Sequence, residues 1–530
     1  MDRDRPALTV ARGAAVAVPA AFLALFFAFP FAAILERGLV GGGPTFDVLT
    51  SESTLRILWF TLWQAGASTA LTLLLGLPLA WVIARFEFPG RSLVRALVLV
   101  PFVLPTVVVA SAFLALLPEG LERGVVAILA AHVFFNVAVV VRIVGSWWGR
   151  LDPRLWEAAA TLGAGPAQRL RAVTLPLLRP PLAAASALVF LFSFTSFGVI
   201  LILGGPRYAT LETEIYTQAV RLFDLRAAAA LSLLQLGSVA IVLAVAGAIE
   251  RRFGVVVPVA RERDVARPPR GWERAALVTV LLLSGIALAL PLTALVERSL
   301  ATPNGYGLAF YRMLGKETPA LLVPPWHAVL NSLAFAAAAT VLAHLVGGSA
   351  AVAVARRRAG WLDALVMLPL GASAVMLGLG FVLAFDDPPL DLRASPWLVP
   401  VAQSLVAAPF VVRIVAPTLR SIDNRLREAA AVLGASPARV WREVDLPLAL
   451  RAVGVAAGFA FAISLGEFGA TVFIARSDWP TVPVAIFRFL GRPGAVNAGQ
   501  AAALGVVLMV LTAVTVLLAD RVTTVRRGTL

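Results

Sequence analysis

The chain contains 530 residues, of which 60% are hydrophobic and only 14% are charged, and its mean hydropathy is +0.88. Soluble globular proteins carry roughly 25% charged residues, so this composition excludes a soluble fold and indicates an integral membrane protein. The net charge of +15 does not indicate nucleic-acid binding, because the arginines lie in short segments between apolar runs. The sequence has no cysteine, which excludes disulfides, thiolate metal sites and cysteine nucleophiles.

Twelve apolar runs are long enough to cross a bilayer as helices, since a hydrocarbon core of ~30 Å needs about 20 helical residues. They are centred near Phe26, Leu73, Val107, Phe135, Leu191, Val239, Leu283, Ala338, Val375, Val406, Phe461 and Leu508. The runs near Val375 and Val406 are interrupted by glycine or proline, so their limits stay open. The even number of runs predicts that both termini lie on the same side of the membrane.

The distribution of arginine predicts the orientation, because cytoplasmic loops carry an excess of positive charge. The segment between the second and third runs contains Arg85, Arg91 and Arg95. The segment after the fourth run contains Arg150 and Arg154. The segments on the opposite side contain less arginine and more acidic residues. We therefore predict that both termini are cytoplasmic.

An internal repeat relates the two halves of the sequence. Residues 154–176 and 425–447 share the pattern E-A-A-A-x-L-G-A-x-P-A, followed by L-P ten residues after the first proline. Corresponding residues differ by 271 positions, as Glu157 does from Glu428 and Gly163 from Gly434. Such a match over a constant offset indicates duplication of a whole unit.

The repeat predicts the fold class and the domain boundaries. Each half contains six runs, so the halves have the same topology and are related by an axis along the membrane normal. We predict an all-α integral membrane protein with about twelve transmembrane helices, arranged as two parallel six-helix repeats. The first half covers residues 1–250 and the second covers 275–530. A proline- and arginine-rich cytoplasmic linker covers 251–274.

The repeated segments 154–176 and 425–447, called the repeat loops below, carry helix start and stop signals. Asp152 precedes Pro153 and can cap a short helix that Gly163 ends by adopting a left-handed conformation. Asp423 and Gly434 occupy the same positions in the second half. A second short helix then starts at each conserved proline. Each repeat loop is therefore predicted to contain two short helices joined by a tight turn.

These motifs resemble the E-A-A loop of permease subunits in bacterial ABC importers, and the resemblance covers both halves. It implies the type I ABC importer permease fold and a location in the bacterial inner membrane. In that family the loop is the coupling helix that contacts the ATP-binding subunit. The residues that would make this contact are Glu157, Ala158, Gly163, Glu428, Ala429 and Gly434. The alternative interpretation is a pair of capped interfacial helices whose glutamates only interact with the helix dipole.

The resemblance also implies partners. The sequence has no phosphate-binding loop, since its single lysine, Lys316, lacks the surrounding glycine pattern. ATP and magnesium would therefore be bound by two copies of a separate ATP-binding subunit, and this chain would itself bind no cofactor and catalyse no reaction. An extracytoplasmic solute-binding protein and membrane lipid complete the expected partners, and no nucleic acid is expected.

Polar residues inside apolar runs are candidates for the solute path, because burying them in a bilayer is costly. They are Ser193, Thr195 and Ser196 in the first half and Ser464 and Glu467 in the second. Glu467 corresponds to Ser196, so the predicted path is asymmetric. The alternative role for Glu467 is a hydrogen bond or ion pair between helices. The three histidines fit no metal-ligand spacing, so we expect no metal site.

The second-half segment L-G-E-F-G-A-T resembles the molybdate, sulfate, iron and thiamine group of these permeases. Fusion of two permease halves resembles the ferric-iron and thiamine members, and the segment from Ala209 to Tyr216 resembles the thiamine type. Thiamine, its phosphates and ferric iron are therefore the expected solutes. A twelve-span secondary transporter is the alternative function.

Overall fold

The computed structural model describes residues 15–39, 45–205, 207–253, 266–356, 360–386 and 390–524. Most of the predicted linker, residues 254–265, lies outside them, as do the predicted cytoplasmic termini at 1–14 and 525–530. The described chain is almost entirely helical. A single two-stranded antiparallel ribbon, β1 (Ala301–Thr302) and β2 (Gly305–Tyr306), is described in it.

Within the described ranges, each half contains eleven helices when a helix that continues through a π-turn is counted once. The first half contains α1 (Ala15–Leu39), α2 (Thr45–Thr50), α3 (Glu52–Arg85), α4 (Arg91–Val103), α5 (Thr106–Leu116), α6 (Val125–Trp148), α7 (Pro153–Thr161), α8 (Pro166–Phe194), α9 (Gly198–Leu203), α10 (Leu211–Arg221) and α11 (Leu225–Phe253). The second half contains α12 (Trp272–Leu300), α13 (Ala309–Met313), α14 (Trp326–Ala355), α15 (Gly360–Gly371), α16 (Ala374–Ala384), α17 (Leu398–Ser421), α18 (Asn424–Val432), α19 (Pro437–Gly466), α20 (Thr471–Ile474), α21 (Val482–Leu490) and α22 (Ala495–Thr524).

Ten of these helices are long and apolar enough to cross a membrane, and two bent pairs complete the twelve predicted spans. The pairs are α4 with α5, bent by 99°, and α15 with α16, bent by 96°. The second pair is the predicted interruption near Val375. The first was not predicted, although Pro105 forces Leu104 into an extended conformation at the break.

The run near Val406 is not interrupted, contrary to the expectation from its prolines. Helix α17 continues through Pro409 and Pro417, and most of its residues are buried against other helices. Proline is tolerated inside membrane helices because neighbouring helices can satisfy the freed carbonyl groups. The described part of α11 reaches Phe253 and α12 begins at Trp272, so both helices include residues of the predicted linker.

The first helix of each half packs against the other half. Helix α1 lies on α11 of its own half and on α16 of the second half. Helix α12 lies on α5 of the first half as well as on α22. This exchange means that neither half buries its apolar helix faces alone, and the largest hydrophobic clusters contain residues of both halves.

The exchange requires a close approach between α1 and α16. A Cβ atom placed on Gly380 would lie 3.0 Å from the Pro30 Cβ and 3.1 Å from the Pro30 carbonyl oxygen. Both atoms belong to Pro30, which lies on α1 of the other half, and the carbonyl oxygen is part of the backbone. A larger side chain at position 380 must therefore push α1 away from α16.

We predict that Gly380→Leu lowers the free energy of unfolding by about 1–3 kcal/mol, the usual cost of overpacking a filled contact. Gly285→Leu on α12 is the control, because a Cβ atom at Gly285 meets no atom within 4 Å. Thermal unfolding of the purified full-length chain measures both variants. Equal stability of the two variants would show that the α1–α16 contact is not required.

Candidate functional site

The first repeat loop has the predicted geometry. The Asp152 carboxylate accepts a hydrogen bond from the Arg154 N–H at 2.9 Å and so caps α7. Gly163 ends this helix with a φ of +84°, the left-handed conformation that favours glycine. Pro166 then begins α8, with Gly165 at its N-cap.

The second repeat loop repeats this arrangement. The Asp423 carboxylate accepts from the Arg425 N–H at 2.9 Å, and Gly434 has a φ of +82°. Ser436 caps the following helix by accepting from the Arg439 N–H at 3.4 Å. The shared caps and turns explain why the two sequences stayed similar, since each residue type meets a backbone requirement.

Both repeat loops present their motif residues to solvent. The six residues proposed for contact with an ATP-binding subunit are all exposed: Glu157, Ala158, Gly163, Glu428, Ala429 and Gly434. Sequence reasoning missed the leucines beside the two glycines. Leu162 and Leu433 are 88% and 86% exposed. The first short helix of each loop therefore ends at an apolar side chain that is open to solvent. The L-G pair within the repeated motif was the signal that could have identified them.

The second repeat loop is held by an ion-pair network. The Asp445 carboxylate is 1% exposed and accepts from Arg427 at 2.7 Å and from Arg356 at 3.4 Å. Arg427 also donates to the Leu419 carbonyl at 3.1 Å, at the end of the preceding span. These contacts tie α18 to α14, α17 and α19. A network of this kind can transmit a displacement of the loop to the spans.

The polar candidates of the first half hydrogen bond within that half. His132 lies between the hydroxyl oxygens of Ser68 and Ser196, at 2.9 Å from each. Gln64 donates to the Ser193 carbonyl at 2.8 Å, and Thr195 donates to the Leu191 carbonyl at 2.9 Å. Gln64, Ser68 and His132 are 64 or more positions away from their partners in the sequence, so the sequence alone did not indicate these contacts.

Glu467 has a local hydrogen-bonding role. One carboxylate oxygen accepts from the Ala470 N–H at 2.7 Å, and the other accepts from the N–H of Thr471 at 3.0 Å and from its hydroxyl. The side chain is buried and caps the first turn of α20. Ser464, one turn earlier, has a buried hydroxyl without a hydrogen-bond partner. Glu467 and its first-half counterpart Ser196 thus make different contacts.

Aromatic side chains from the two halves meet close to these residues. The ring of Phe197 stacks on that of Phe468, with centroids 5.5 Å apart. Tyr216 contacts Phe197 at 5.7 Å, and Phe487 contacts Phe468 at 5.5 Å. Phe468 corresponds to Phe197 through the 271-residue offset, and Phe487 corresponds to Tyr216 in the same way. They form a compact aromatic cluster across the boundary between the halves.

A cavity of about 940 Å³ lies beside the aromatic cluster. Helix α8 begins in the first repeat loop and crosses the bundle to Phe194. Residues 200–221, which follow α8 in the sequence, contribute much of the cavity wall. The cavity therefore lies at the end of the bundle opposite to the repeat loops. Four arginines line it: Arg123, Arg221, Arg488 and Arg492. Tyr208 and Glu214 also line the cavity, and the Glu214 carboxylate accepts from Gln218 at 2.7 Å. Sequence analysis missed this site because it read arginine only as an orientation signal.

Comparison with known proteins identifies the family. The family model described as "Binding-protein-dependent transport system inner membrane component" matches the chain twice, at residues 73–255 and 329–525. Each match falls in one half and includes one repeat loop. The chain belongs to this family.

Similar proteins support this assignment over most of the chain. The Thiamine transport system permease protein ThiP of Brucella abortus (strain 2308) is 30% identical, over 93% of this chain and 93% of the relative. The protein of the same name from Escherichia coli (strain K12) is 27% identical over 83% and 85%. A putative 2-aminoethylphosphonate transport system permease protein, PhnV, of Salmonella paratyphi A is 31% identical over 48% of this chain and 96% of its own length.

The family assignment confirms three predictions from the sequence. The protein is an ABC importer permease with two repeated units, it is an inner-membrane component with multiple spans, and ATP-binding and solute-binding proteins are its partners. The match decides against the secondary transporter. The half-length of the PhnV relative also agrees with a fusion of two permease units in this chain.

We predict that Glu467→Gln lowers the free energy of unfolding by about 1–3 kcal/mol, because the amide would place a donor against an N–H group that now donates to the carboxylate. Glu119→Gln, in an exposed loop, is the control. Thermal unfolding and solute uptake should be measured together. Unchanged stability combined with altered uptake would instead favour direct contact between Glu467 and the solute.

Proposed function

We propose that this permease imports thiamine or its phosphate esters. The observation that carries the proposal is the similarity over almost the full length to two proteins named as thiamine transport system permeases. We further propose that one copy of this chain assembles with two copies of an ATP-binding subunit and an extracytoplasmic solute-binding protein. Both chain termini would lie in the cytoplasm, on the side of the repeat loops.

The arginine-lined cavity supports this choice of solute. Tyr208 offers an aromatic face to a heterocyclic ring, and Glu214 offers a carboxylate to the positive thiazolium group. Arg488 and Arg492 offer donors to phosphate oxygens. The excess of positive charge disfavours a bare ferric cation, so the ferric-iron alternative has less support. Solute released by the binding protein would enter here and then pass the aromatic cluster.

The repeat loops supply the coupling part of the proposal. Two exposed loops with the same helix–turn–helix geometry match two identical ATP-binding subunits. Leu162 and Leu433 would enter an apolar groove on each subunit, and Glu157 and Glu428 would make polar contacts beside it. ATP and magnesium would be bound by those subunits. This chain would bind no cofactor and have no enzymatic activity of its own.

We predict that Gly163→Val and Gly434→Val each destabilise the observed conformation of their repeat loop by about 1–2 kcal/mol. Both glycines have a positive φ that a β-branched residue adopts poorly. Each variant should misplace one loop and reduce uptake. The double variant should lose the ATP-binding subunits. Gly165→Val is the control, since Gly165 lies in the same loop with a φ of −68°.

Native mass spectrometry of the purified complex counts the subunits, and uptake by intact cells measures transport. We expect two ATP-binding subunits for each unaltered chain and for the Gly165→Val variant. A double variant that retains both subunits and normal uptake would contradict the assignment of the repeat loops. Two copies of this chain in one complex would contradict the proposed stoichiometry.

We predict that Arg488→Gln raises the KM for thiamine monophosphate about tenfold, because hydrogen bonds to charged groups contribute about 1.5–3 kcal/mol. The KM for thiamine should change little, since thiamine has no phosphate. Arg312→Gln is the matched control, because Arg312 is exposed near the same end of the bundle but does not line the cavity.

The comparison of solutes separates the parts of the proposal. Equal effects on thiamine and its monophosphate would rule out phosphate recognition by Arg488. Uptake of 2-aminoethylphosphonate without uptake of either thiamine compound would reject the proposed solute and leave the coupling assignment intact.

A further inference from the structure

Each half has a cavity at its repeat-loop end, between the end of the second span and the repeat loop. The first-half cavity has a volume of about 790 Å³ and the second-half cavity about 750 Å³. Their walls correspond through the 271-residue offset: Arg85 matches Arg356, Trp156 matches Arg427 and Thr174 matches Asp445. The two cavities therefore allow a comparison within one molecule.

The second-half cavity contains its own counter-ion. Asp445 accepts from Arg427 at 2.7 Å and from Arg356 at 3.4 Å, so the guanidinium groups there face a carboxylate of the same half. The first-half cavity has Thr174 at the position of Asp445 and Trp156 at the position of Arg427. The substitutions remove this carboxylate and add an aromatic ring, and the carboxylates left in the wall are Asp152, which caps α7, and Glu273.

Two arginines of the first-half cavity, Arg85 and Arg169, form no direct ion pair with an acidic residue among the described residues. Among the described residues, the Arg85 side chain makes no hydrogen bond or direct ion pair, and the carboxylates that act on it electrostatically are Glu273 and Glu157. The Nε atom of Arg169 is buried without a hydrogen-bond partner, and its guanidinium lies 5.1 Å from the centre of the Trp156 ring. Glu273 lies on the rim, but it is paired with Arg267 at 2.5 Å. The cavity thus holds two cationic groups that an anion would satisfy.

The wall of the cavity continues along one face of helix α3 into the part of that helix that is apolar enough to span a membrane. Leu74, Pro78, Trp81 and Arg85 line it, and their spacing places them on one helix face. Leu74 is 66% exposed on the membrane-spanning part of α3, and Arg85 is the last residue of the helix. The stripe therefore extends for about 16 Å, from an apolar surface at bilayer depth to a cationic end. Trp81 stacks on Trp272 between these ends, with centroids 6.1 Å apart.

We propose that the first-half cavity binds an anionic phospholipid. The phosphate lies between Arg85 and Arg169, the glycerol region lies against the tryptophans, and an acyl chain follows Leu74 and Pro78. Arginine and tryptophan are the residues that membrane proteins use at the headgroup level. A soluble anion would satisfy the arginines but would leave the apolar stripe without a ligand. The second-half cavity, with its internal carboxylate, does not bind such a lipid.

The test is native mass spectrometry of the full-length chain titrated with dioleoyl phosphatidylglycerol or dioleoyl phosphatidylcholine. Phosphatidylglycerol should bind about tenfold more tightly or better, since each arginine near the surface contributes to attraction of an anionic lipid. The double variant R85Q/R169Q should reduce this preference to near equality. Thr174→Asp should do the same, because it introduces the counter-ion found in the other half.

Arg171→Gln is the matched control, since Arg171 is exposed in the same loop and does not line the cavity. It should keep the full preference for phosphatidylglycerol. Unchanged phosphatidylcholine binding by every variant shows that the chain is folded. An R85Q/R169Q variant with the preference of the unaltered chain would overturn the proposal. Displacement of phosphatidylglycerol by glycerol 3-phosphate at similar concentrations would also overturn it, because the ligand would then be a free phosphate compound.

Discussion

The contact between Phe197 and Phe468 fixes the relation between the halves of this permease. Their rings stack at 5.5 Å, and the residues occupy equivalent positions, so the contact lies where the approximate two-fold axis crosses the chain. Tyr216 and Phe487 extend the contact on both sides. The exchange of α1 and α12 adds further contacts between the halves, with α1 on α16 and α12 on α5. The bent pairs α4–α5 and α15–α16 place α5 and α16 beside these exchanged helices.

The sequence predicted the parts of this fold that depend on local chemistry. Span number follows from hydropathy, and the repeat loops follow from Asp, Pro and Gly at defined positions. The prolines of the run near Val406 predicted an interruption that the structure does not show. Helix α17 continues through Pro409 and Pro417 because it is packed against other helices on most sides. The bend at Leu104–Pro105 had a local signal in Pro105, which the hydropathy of the surrounding run concealed.

The candidate site was predictable to a similar degree. The repeat loops were found because duplication marks them, whereas their exposed leucines required the structure. Ser193 and Ser196 were identified as unusual residues, but their partners Gln64 and His132 come from other spans. No pattern in a single sequence connects such distant residues. The four arginines of the arginine-lined cavity are similarly scattered over three segments of the sequence, and only folding brings them together.

Fusion into one polypeptide allows the two halves to differ where a pair of identical subunits could not. In a homodimeric permease, any substitution occurs on both sides of the axis. Here a threonine stands in one half where the other has Asp445, and a serine where the other has Glu467. Gene duplication followed by fusion therefore permitted specialisation of one side without loss of the opposite side's ion pairs. The aspartate caps and left-handed glycines of the two loops are the same in both halves, so the asymmetry lies beside the loops and not in their backbone.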